Sequence, residues 1–162
     1  MNRSFVNTVT LIGLLSIQVM AQNPATKLAL SPSQAVLGSW NDIGRKLIAM
    51  AEDFPEDKYD FKPVPVQRSF ADQLLHVAGS NDLFTQVAKG QTPVDDESRA
   101  HYPTKAAVVA YLKKSFAEGA AAIQAKGDRG LTQTVVDAES GQPLQLTDLA
   151  YELIEHSGEH YG

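Results

Sequence analysis

Apolar side chains recur every three or four residues in four long segments of the chain, and this pattern constrains the fold more than any other feature. Residues three or four positions apart lie on one face of an α-helix, so each segment predicts an amphipathic helix. Such helices need neighbours against which to bury their apolar sides, and almost no segment has the alternation of a strand. We therefore predict an all-α fold, a four-helix bundle. The four stripes are Val36, Trp40, Ile43, Leu47, Ala51 and Phe54; Phe70, Leu74, Val77, Asn81, Phe84 and Ala88; Val109, Leu112, Phe116, Ala120 and Ile123; and Leu149, Leu153, His156 and His160.

Capping residues and helix breakers mark the ends of these segments. A Ser or Thr before a periodic run predicts a helix start, because its hydroxyl oxygen accepts a hydrogen bond from a free backbone N–H group. Pro and Gly after such a run predict its end. The predicted starts are Ser31, Ser69, Thr104 and Thr147, and the predicted ends include Pro55 and Gly127. The connectors are long enough for antiparallel neighbours and for parallel crossovers, so the pattern leaves the topology open.

Two further segments carry structural expectations. On the second helix, a stripe of His76, Ser80, Leu83 and Val87 adjoins the first one, so this helix is expected to contact two neighbours. Residues 128–146 hold two short extended runs between the third and fourth helices, which predict a short β-hairpin or a flap. Such a flap is expected to cover the site described below.

The first residues have the features of a secretory signal peptide. A positive start at Arg3 precedes an apolar run from Phe5 to Met20, and Ala21 is a suitable residue for cleavage. A membrane anchor is disfavoured because the run is short, contains polar residues and is not followed by cationic residues. The expected organisation is a signal peptide over 1–21, a linker over 22–30 and one domain over 31–162. We expect export to the periplasm or the extracellular space, without stable membrane insertion.

Composition excludes several classes of function. The chain has 14 basic and 19 acidic residues, a net charge of −5, so it lacks the cationic surface that binds nucleic acid. It has no Cys, which excludes disulfides, a thiolate nucleophile and thiolate metal ligands. The chemistry must therefore come from imidazole, carboxylate and hydroxyl groups. A homodimer is one option for its assembly, and nothing in the sequence identifies the small-molecule substrate.

Three of the four histidines form a candidate metal site. His156 and His160 are one helical turn apart and continue the inward stripe of the last helix, so both rings can reach one cation. His76 is the other inward histidine, and three imidazoles leave coordination positions open for water or substrate. The alternative is that each ring is a core residue bonded to a carbonyl or to Ser80, Asn81 or Glu152. His101 lies in a polar loop and is expected to be solvated.

The three histidines and the segment around the last two indicate which metal would bind and which residue could act as a base. Zinc and nickel suit imidazole ligands best, with iron and manganese as alternatives. The segment from His156 to His160 also matches the H-x-x-E-H pattern of inverted zinc peptidases, in which the Glu activates water. We discount that match because the chain stops at Gly162, before the downstream ligand of those enzymes. Glu159 remains a candidate base, although as a helix residue beside a ligand it is equally compatible with solvated surface.

Several motifs resemble those of the DinB/YfiT-like metalloenzyme family. They are Phe61-Lys62-Pro63, Arg68-Ser69-Phe70, the segment 74–78 and the segment 155–162 with its two histidines. The resemblance covers nearly the whole chain after the signal peptide. It implies a four-helix bundle with a histidine triad that binds a divalent metal, and the matching ligands are His76, His156 and His160.

The resemblance leaves the reaction open. The family includes thiol-dependent transferases such as the bacillithiol transferases, whose thiols are cytosolic, whereas this chain carries an export signal. Relatives continue with Gln and a further apolar stretch after the last histidine, so the fourth helix is expected to be truncated here. Compartment and composition favour a metal-dependent hydrolase acting through metal-activated water. The alternatives are a thiol-dependent S-transferase and a non-catalytic metal-binding or stress-related protein.

Overall fold

Four helices and one small hairpin make up the structure, a computed structural model that describes residues 29–94, 96–136 and 141–162. The elements are α1 (Pro32–Asp53), a short 3₁₀ helix (Glu56–Lys58), α2 (Phe70–Ala88), α3 (Lys105–Leu131), β1 (Thr134–Val136), β2 (Pro143–Gln145) and α4 (Leu146–Tyr161). The predicted all-α fold is confirmed. The predicted signal peptide, and residues 22–28 of the predicted linker, lie outside the described residues.

Three of the four predicted caps are observed. Ser31 and Ser69 each accept a hydrogen bond from the backbone three residues on, and Gln34 and Asp72 return the bond to the cap backbone. Thr104 caps α3. The predicted start of α4 at Thr147 is wrong by two residues, because Gln145 is the cap, and its backbone N–H donates to the Asp148 side chain at 3.3 Å.

The core lies between all four helices, and Trp40 lies where α1, α2 and α3 meet. Its indole N–H donates to the carbonyl of Phe116 at 2.9 Å, and its ring contacts Phe84 with centroids 5.2 Å apart. Gly119 allows this packing, since a Cβ there would lie 2.1 Å from the Trp40 ring. The largest fully buried side chains include Trp40, Tyr59, Phe84, Leu47, Leu74, Leu75, Leu112, Ile123 and Leu146.

Contacts at the helix ends fix the direction of each helix. Lys105 at the start of α3 donates to the carbonyl of Phe54 after the end of α1, at 2.8 Å, and Ser33 at the start of α1 donates to Asp128 near the end of α3, at 2.8 Å. These two helices are therefore antiparallel. Tyr111 bonds Asp82, and about two turns further in the same direction Lys89 pairs with Glu118, so α2 and α3 are parallel.

The remaining helix, α4, runs antiparallel to α2, because residues 73 and 76 near the start of α2 lie beside residues 160 and 156 near the end of α4. The bundle is therefore up-down-down-up. Parallel α2 and α3 require the segment 89–104, here called the crossover loop, to return along the length of α2, a distance of about 28 Å.

The segment between α3 and α4 differs in part from the sequence expectation. Gly127 has φ 56° and interrupts the helix as predicted, but a further helical stretch continues to Leu131. The predicted hairpin is present, with Val135 opposite Leu144 in antiparallel register. Its predicted tip, residues 137–140, lies outside the described residues. None of the helices in the described ranges is long and apolar enough to cross a bilayer.

The second stripe of α2 is less buried than predicted. His76, Ser80, Leu83 and Val87 are all half-buried. The additional buried face consists instead of Ala71, Leu75, Ala78 and Thr85. The stripe that carries His76 therefore lies at the edge of the bundle, within reach of solvent.

Candidate metal centre

Three histidine rings converge where the first half of α2 meets the end of α4. The ring centroids of His76, His156 and His160 are 4.4 to 5.2 Å apart. One ring nitrogen from each lies within 4.8 Å of the other two, and the Nε2 atoms of His156 and His160 are 3.2 Å apart. The structure thus brings together the three residues predicted as ligands, and we call them the triad.

The antiparallel packing of α2 and α4 explains this convergence. His156 and His160 lie on the side of α4 that continues from buried Leu149 and Leu153, and His76 lies on the facing side of α2. All three rings are half-buried rather than fully inward, because the triad lies at the edge of the bundle. A half-buried site keeps the rings fixed and leaves them accessible to a ligand.

Glu97 of the crossover loop holds the His76 ring. Its carboxylate oxygens lie 3.0 and 3.1 Å from His76 Nδ1 and accept the hydrogen bond of that nitrogen. A carboxylate on one imidazole nitrogen fixes the tautomer and directs the other nitrogen, here Nε2, toward a metal. Gly79, one turn after His76, provides the space, since a Cβ there would lie 2.6 Å from Glu97 Cγ.

Gln73, which lies one turn before His76 on α2, holds the His160 ring. Its side-chain amide is hydrogen-bonded to His160 Nδ1, with the amide nitrogen as donor. Because His160 Nδ1 then accepts a hydrogen bond, a neutral His160 ring carries its proton on Nε2. That N–H group donates to His156 Nε2. A metal on His160 Nε2 requires Nδ1 to carry the proton instead. The Gln73 side-chain amide then has to rotate by half a turn so that its oxygen accepts the hydrogen bond from Nδ1. This rotation exchanges the NH2 group and the carbonyl oxygen, which are nearly equal in size.

Sequence reasoning missed both supporting residues. Glu97 lies in the polar loop that also holds His101, and only the helix directions reveal that this loop passes His76. Gln73 carried a usable signal, because it stands one turn before His76 on the same face of α2.

The surroundings keep His156 and His160 uncharged at neutral pH. Burial, followed by the nearby His76, lowers the pKa of His156 below its usual 6.5. Burial, followed by His156, His76 and Arg68, lowers the pKa of His160 to about 4. Neutral imidazole is the form that binds a metal, because its lone pair is free of a proton.

The core-histidine alternative does not match the observed partners. Ser80 donates to the backbone carbonyl of His76 rather than to a ring, and the amide of Asn81 donates to Ser115. Glu152 is exposed. The rings contact one another, Gln73 and Glu97 instead, which is the arrangement of a ligand set.

The other candidate residues lie outside the triad. His101 is exposed and hydrogen-bonded to Asp96, as a solvated loop histidine should be. Glu159 is exposed on α4 within electrostatic range of His156, and no hydrogen bond joins it to another residue in the described ranges. The role of Glu159 as a base stays a prediction.

The described part of the predicted flap does not cover the triad. The two strands precede α4, and His156 lies ten residues after Leu146, about 15 Å along the helix axis. The described part of the hairpin therefore lies at the opposite end of α4 from the histidines.

A cleft opens beside the triad, between α2 and the connector that follows α1. Its volume is about 670 Å³, within the range of small-molecule sites. Gln73, which holds His160, also lines this cleft, so the two features share a wall. The other lining residues are Phe54, Phe61, Pro63, Val66, Gln67, Arg68, Ser69 and Phe70.

The donor set fits a divalent cation. Two imidazole nitrogens on one tetrahedral zinc ion lie about 3.3 Å apart, given Zn–N bonds of about 2.0–2.1 Å. The observed 3.2 Å between the Nε2 atoms of His156 and His160 matches this spacing. His76 has a ring nitrogen within 4.8 Å of both.

Comparison with protein-family models gives a match over most of the chain. A family model described as the DinB superfamily matches residues 41–162, which includes all three histidines and both supporting residues. A comparison with curated proteins finds none that matches the chain.

Proposed function

The chain belongs to the DinB superfamily, and from this premise we propose that His76, His156 and His160 bind one divalent metal ion at the core of a metal-dependent enzyme. The observation that carries the proposal is the convergence of three imidazoles near an open cleft. Zinc or nickel is the preferred ion, with iron or manganese as alternatives, because imidazole accepts all of them.

The side chains of this protein would prepare the site before a substrate arrives. Glu97 fixes the His76 ring with Nε2 toward the centre, and Gln73 fixes the His160 ring. A divalent cation held by three imidazoles supplies Lewis-acid activation of water or of a polarised substrate bond. Since the protein would contribute only three ligands, coordination positions would remain open for water or substrate.

We propose hydrolysis as the reaction. It requires only solvent and substrate, and it needs no thiol cosubstrate, which an exported protein would rarely meet. Glu159 is our candidate for accepting a proton, because its carboxylate is exposed near His156. Thiol-dependent transfer, the reaction of some members of the family, is the competing proposal.

The test combines metal analysis with activity assays. Purified protein is loaded with zinc or nickel, and hydrolysis is measured on ester, amide and phosphoester panels, with His156→Ala as the inactive variant and His101→Ala as the matched control. We expect the wild type and the His101 variant to turn over substrate and the His156 variant to be inactive. A chelator should abolish the turnover. Turnover confined to assays of electrophiles with glutathione, cysteine or bacillithiol would assign thiol transfer. No turnover at full metal occupancy would assign a non-catalytic metal-binding role.

We also propose that the chain is exported after cleavage following Ala21. Expression of the full chain in a bacterial host, followed by fractionation and N-terminal sequencing, tests this. A periplasmic product that begins at Gln22 supports export, and an uncleaved cytoplasmic product contradicts it. Loss of the export argument would weaken the preference for hydrolysis over thiol transfer.

A further inference from the structure

The cleft beside the triad has an apolar wall. Phe54 and Phe70 stack with ring centroids 3.8 Å apart at its base. Phe61 and Val66 line it from the connector and are 56% and 94% exposed. Large apolar side chains held in solvent around a concave surface are typical of a ligand groove.

The cleft also has one cationic group. Arg68 lines it immediately before the cap of α2, and it forms no ion pair with any carboxylate in the part of the chain that the structure describes. Most of the other cations seen here are paired, such as Arg45 with Asp42 and Arg99 with Asp60. The Arg68 charge acts on His156 and His160, so this cationic residue of the cleft lies within electrostatic range of the triad.

This arrangement defines a ligand by its chemistry. An apolar body fits against Phe54, Phe61 and Phe70, and an anionic group on the same molecule pairs with the planar Arg68 guanidinium, which suits a carboxylate. We propose that the cleft is the substrate subsite and that it selects small organic acids with an aromatic or aliphatic body. This inference rests on the proposed function, because it names the substrate class of the same centre.

A pair of matched ligands tests the charge selectivity. Binding of 4-phenylbutyrate and of the neutral 4-phenylbutyramide is measured by calorimetry on zinc-loaded and on metal-stripped protein. We expect the acid to bind about tenfold more tightly than the amide in both forms, since the charged pair is formed with Arg68 rather than with the metal. Equal binding of acid and amide, or selectivity confined to the zinc-loaded form, would overturn the proposal.

Three variants locate the interaction. Arg68→Gln is expected to remove the preference for the acid while binding of the amide stays unchanged, and Phe61→Ala is expected to weaken both ligands. Arg129→Gln, at the other end of the bundle, is the matched control and should bind as the wild type does. Unchanged selectivity in the Arg68 variant would overturn the proposal. The proposal would also be overturned if the wild type binds neither ligand and forms a dimer that dissociates in the Phe61 variant. That result would assign the connector to self-association.

Metal content separates this inference from the proposed function. Full zinc retention without selective ligand binding overturns the subsite alone. Failure of the wild type to retain zinc overturns the proposed function, and with it the assignment of the cleft as a substrate subsite.

Discussion

At the scale of single residues, the contact between Glu97 and His76 shows how a loop carboxylate supports a helical ligand. The hydrogen bond leaves His76 Nε2 directed away from Glu97, and Gly79 is the residue that lets the loop approach α2 this closely. Neither residue is a predicted ligand, yet both are required for the orientation of one.

Replacing Glu97 is expected to weaken metal binding without removing a ligand. Glu97→Ala should lower the affinity for zinc about 10- to 100-fold, because His76 Nδ1 loses its acceptor, whereas Glu97→Gln retains an acceptor oxygen and should lose less. Competition titration with a chelating dye measures both affinities. Equal affinities in the Ala variant and the wild type would show that the contact does not orient the ring.

Gly79→Ala is expected to have a similar effect through displacement of the loop. The added methyl would lie 2.6 Å from Glu97 Cγ, so Glu97 has to move away from His76. Gly38→Ala on α1 is the matched control, because nothing lies within 4 Å of a Cβ there. The same titration should show weaker zinc binding in the Gly79 variant alone, and equal weakening in both variants would refute the role of Gly79.

At the scale of elements, the helices were predictable and their directions were not. The periodic stripes and the Ser31, Ser69 and Thr104 caps give the helices, since both are local properties of the sequence. The start of α4 was missed because Gln145 is an unusual cap. The parallel packing of α2 and α3, which carries Glu97 past His76, depends on tertiary contacts that no local pattern encodes.

The last two turns of α4 are expected to become more ordered when metal binds. His156 and His160 lie in these turns, where carbonyl groups lack partners within the helix and the helix frays, and a shared ion would join them to His76 on α2. Hydrogen exchange of residues 155–161 should slow on addition of zinc, while exchange at the start of α4 stays unchanged. His156→Ala should abolish the effect, and equal exchange with and without zinc in the wild type would contradict it.

At the scale of the whole molecule, the convergence of the three imidazoles makes the free energy of unfolding depend on pH. In the metal-free protein the pKa of His156 is lowered, and that of His160 is lowered to about 4 from 6.5. Below pH 6.5 the unfolded chain therefore binds protons that the folded chain resists, and the free energy of unfolding falls as the pH falls toward 4. Above pH 7 the two groups contribute no slope, because both states leave them neutral.

Denaturant unfolding of the metal-stripped protein at several pH values tests this linkage. His160→Gln removes one of the two groups, so its loss of stability between pH 6.5 and 4 should be smaller than that of the wild type. Half-buried Asp82, whose pKa is raised by partial burial, contributes in the opposite direction and is the same in both proteins, so it cancels in the comparison. Parallel curves for the two proteins would contradict the account.

The triad itself is the part of the site that the sequence predicted, because His156 and His160 share a face and His76 stands on a facing stripe. Its supporting groups and its cleft depend on how the crossover loop and the connector pack against α2. The packing of the helices therefore brings three histidines together in one site. The proposed function depends on this site binding a metal ion.

Metal stoichiometry of four single variants tests this claim most directly. Calorimetric titration with zinc should give one ion per wild-type chain, the same for His101→Ala, and sharply weaker binding for His76→Ala, His156→Ala and His160→Ala. The reason is that only these three rings lie within 4.8 Å of one another, whereas His101 pairs with Asp96 in the crossover loop. Equal binding by all four variants, or loss in the His101 variant alone, would contradict the account.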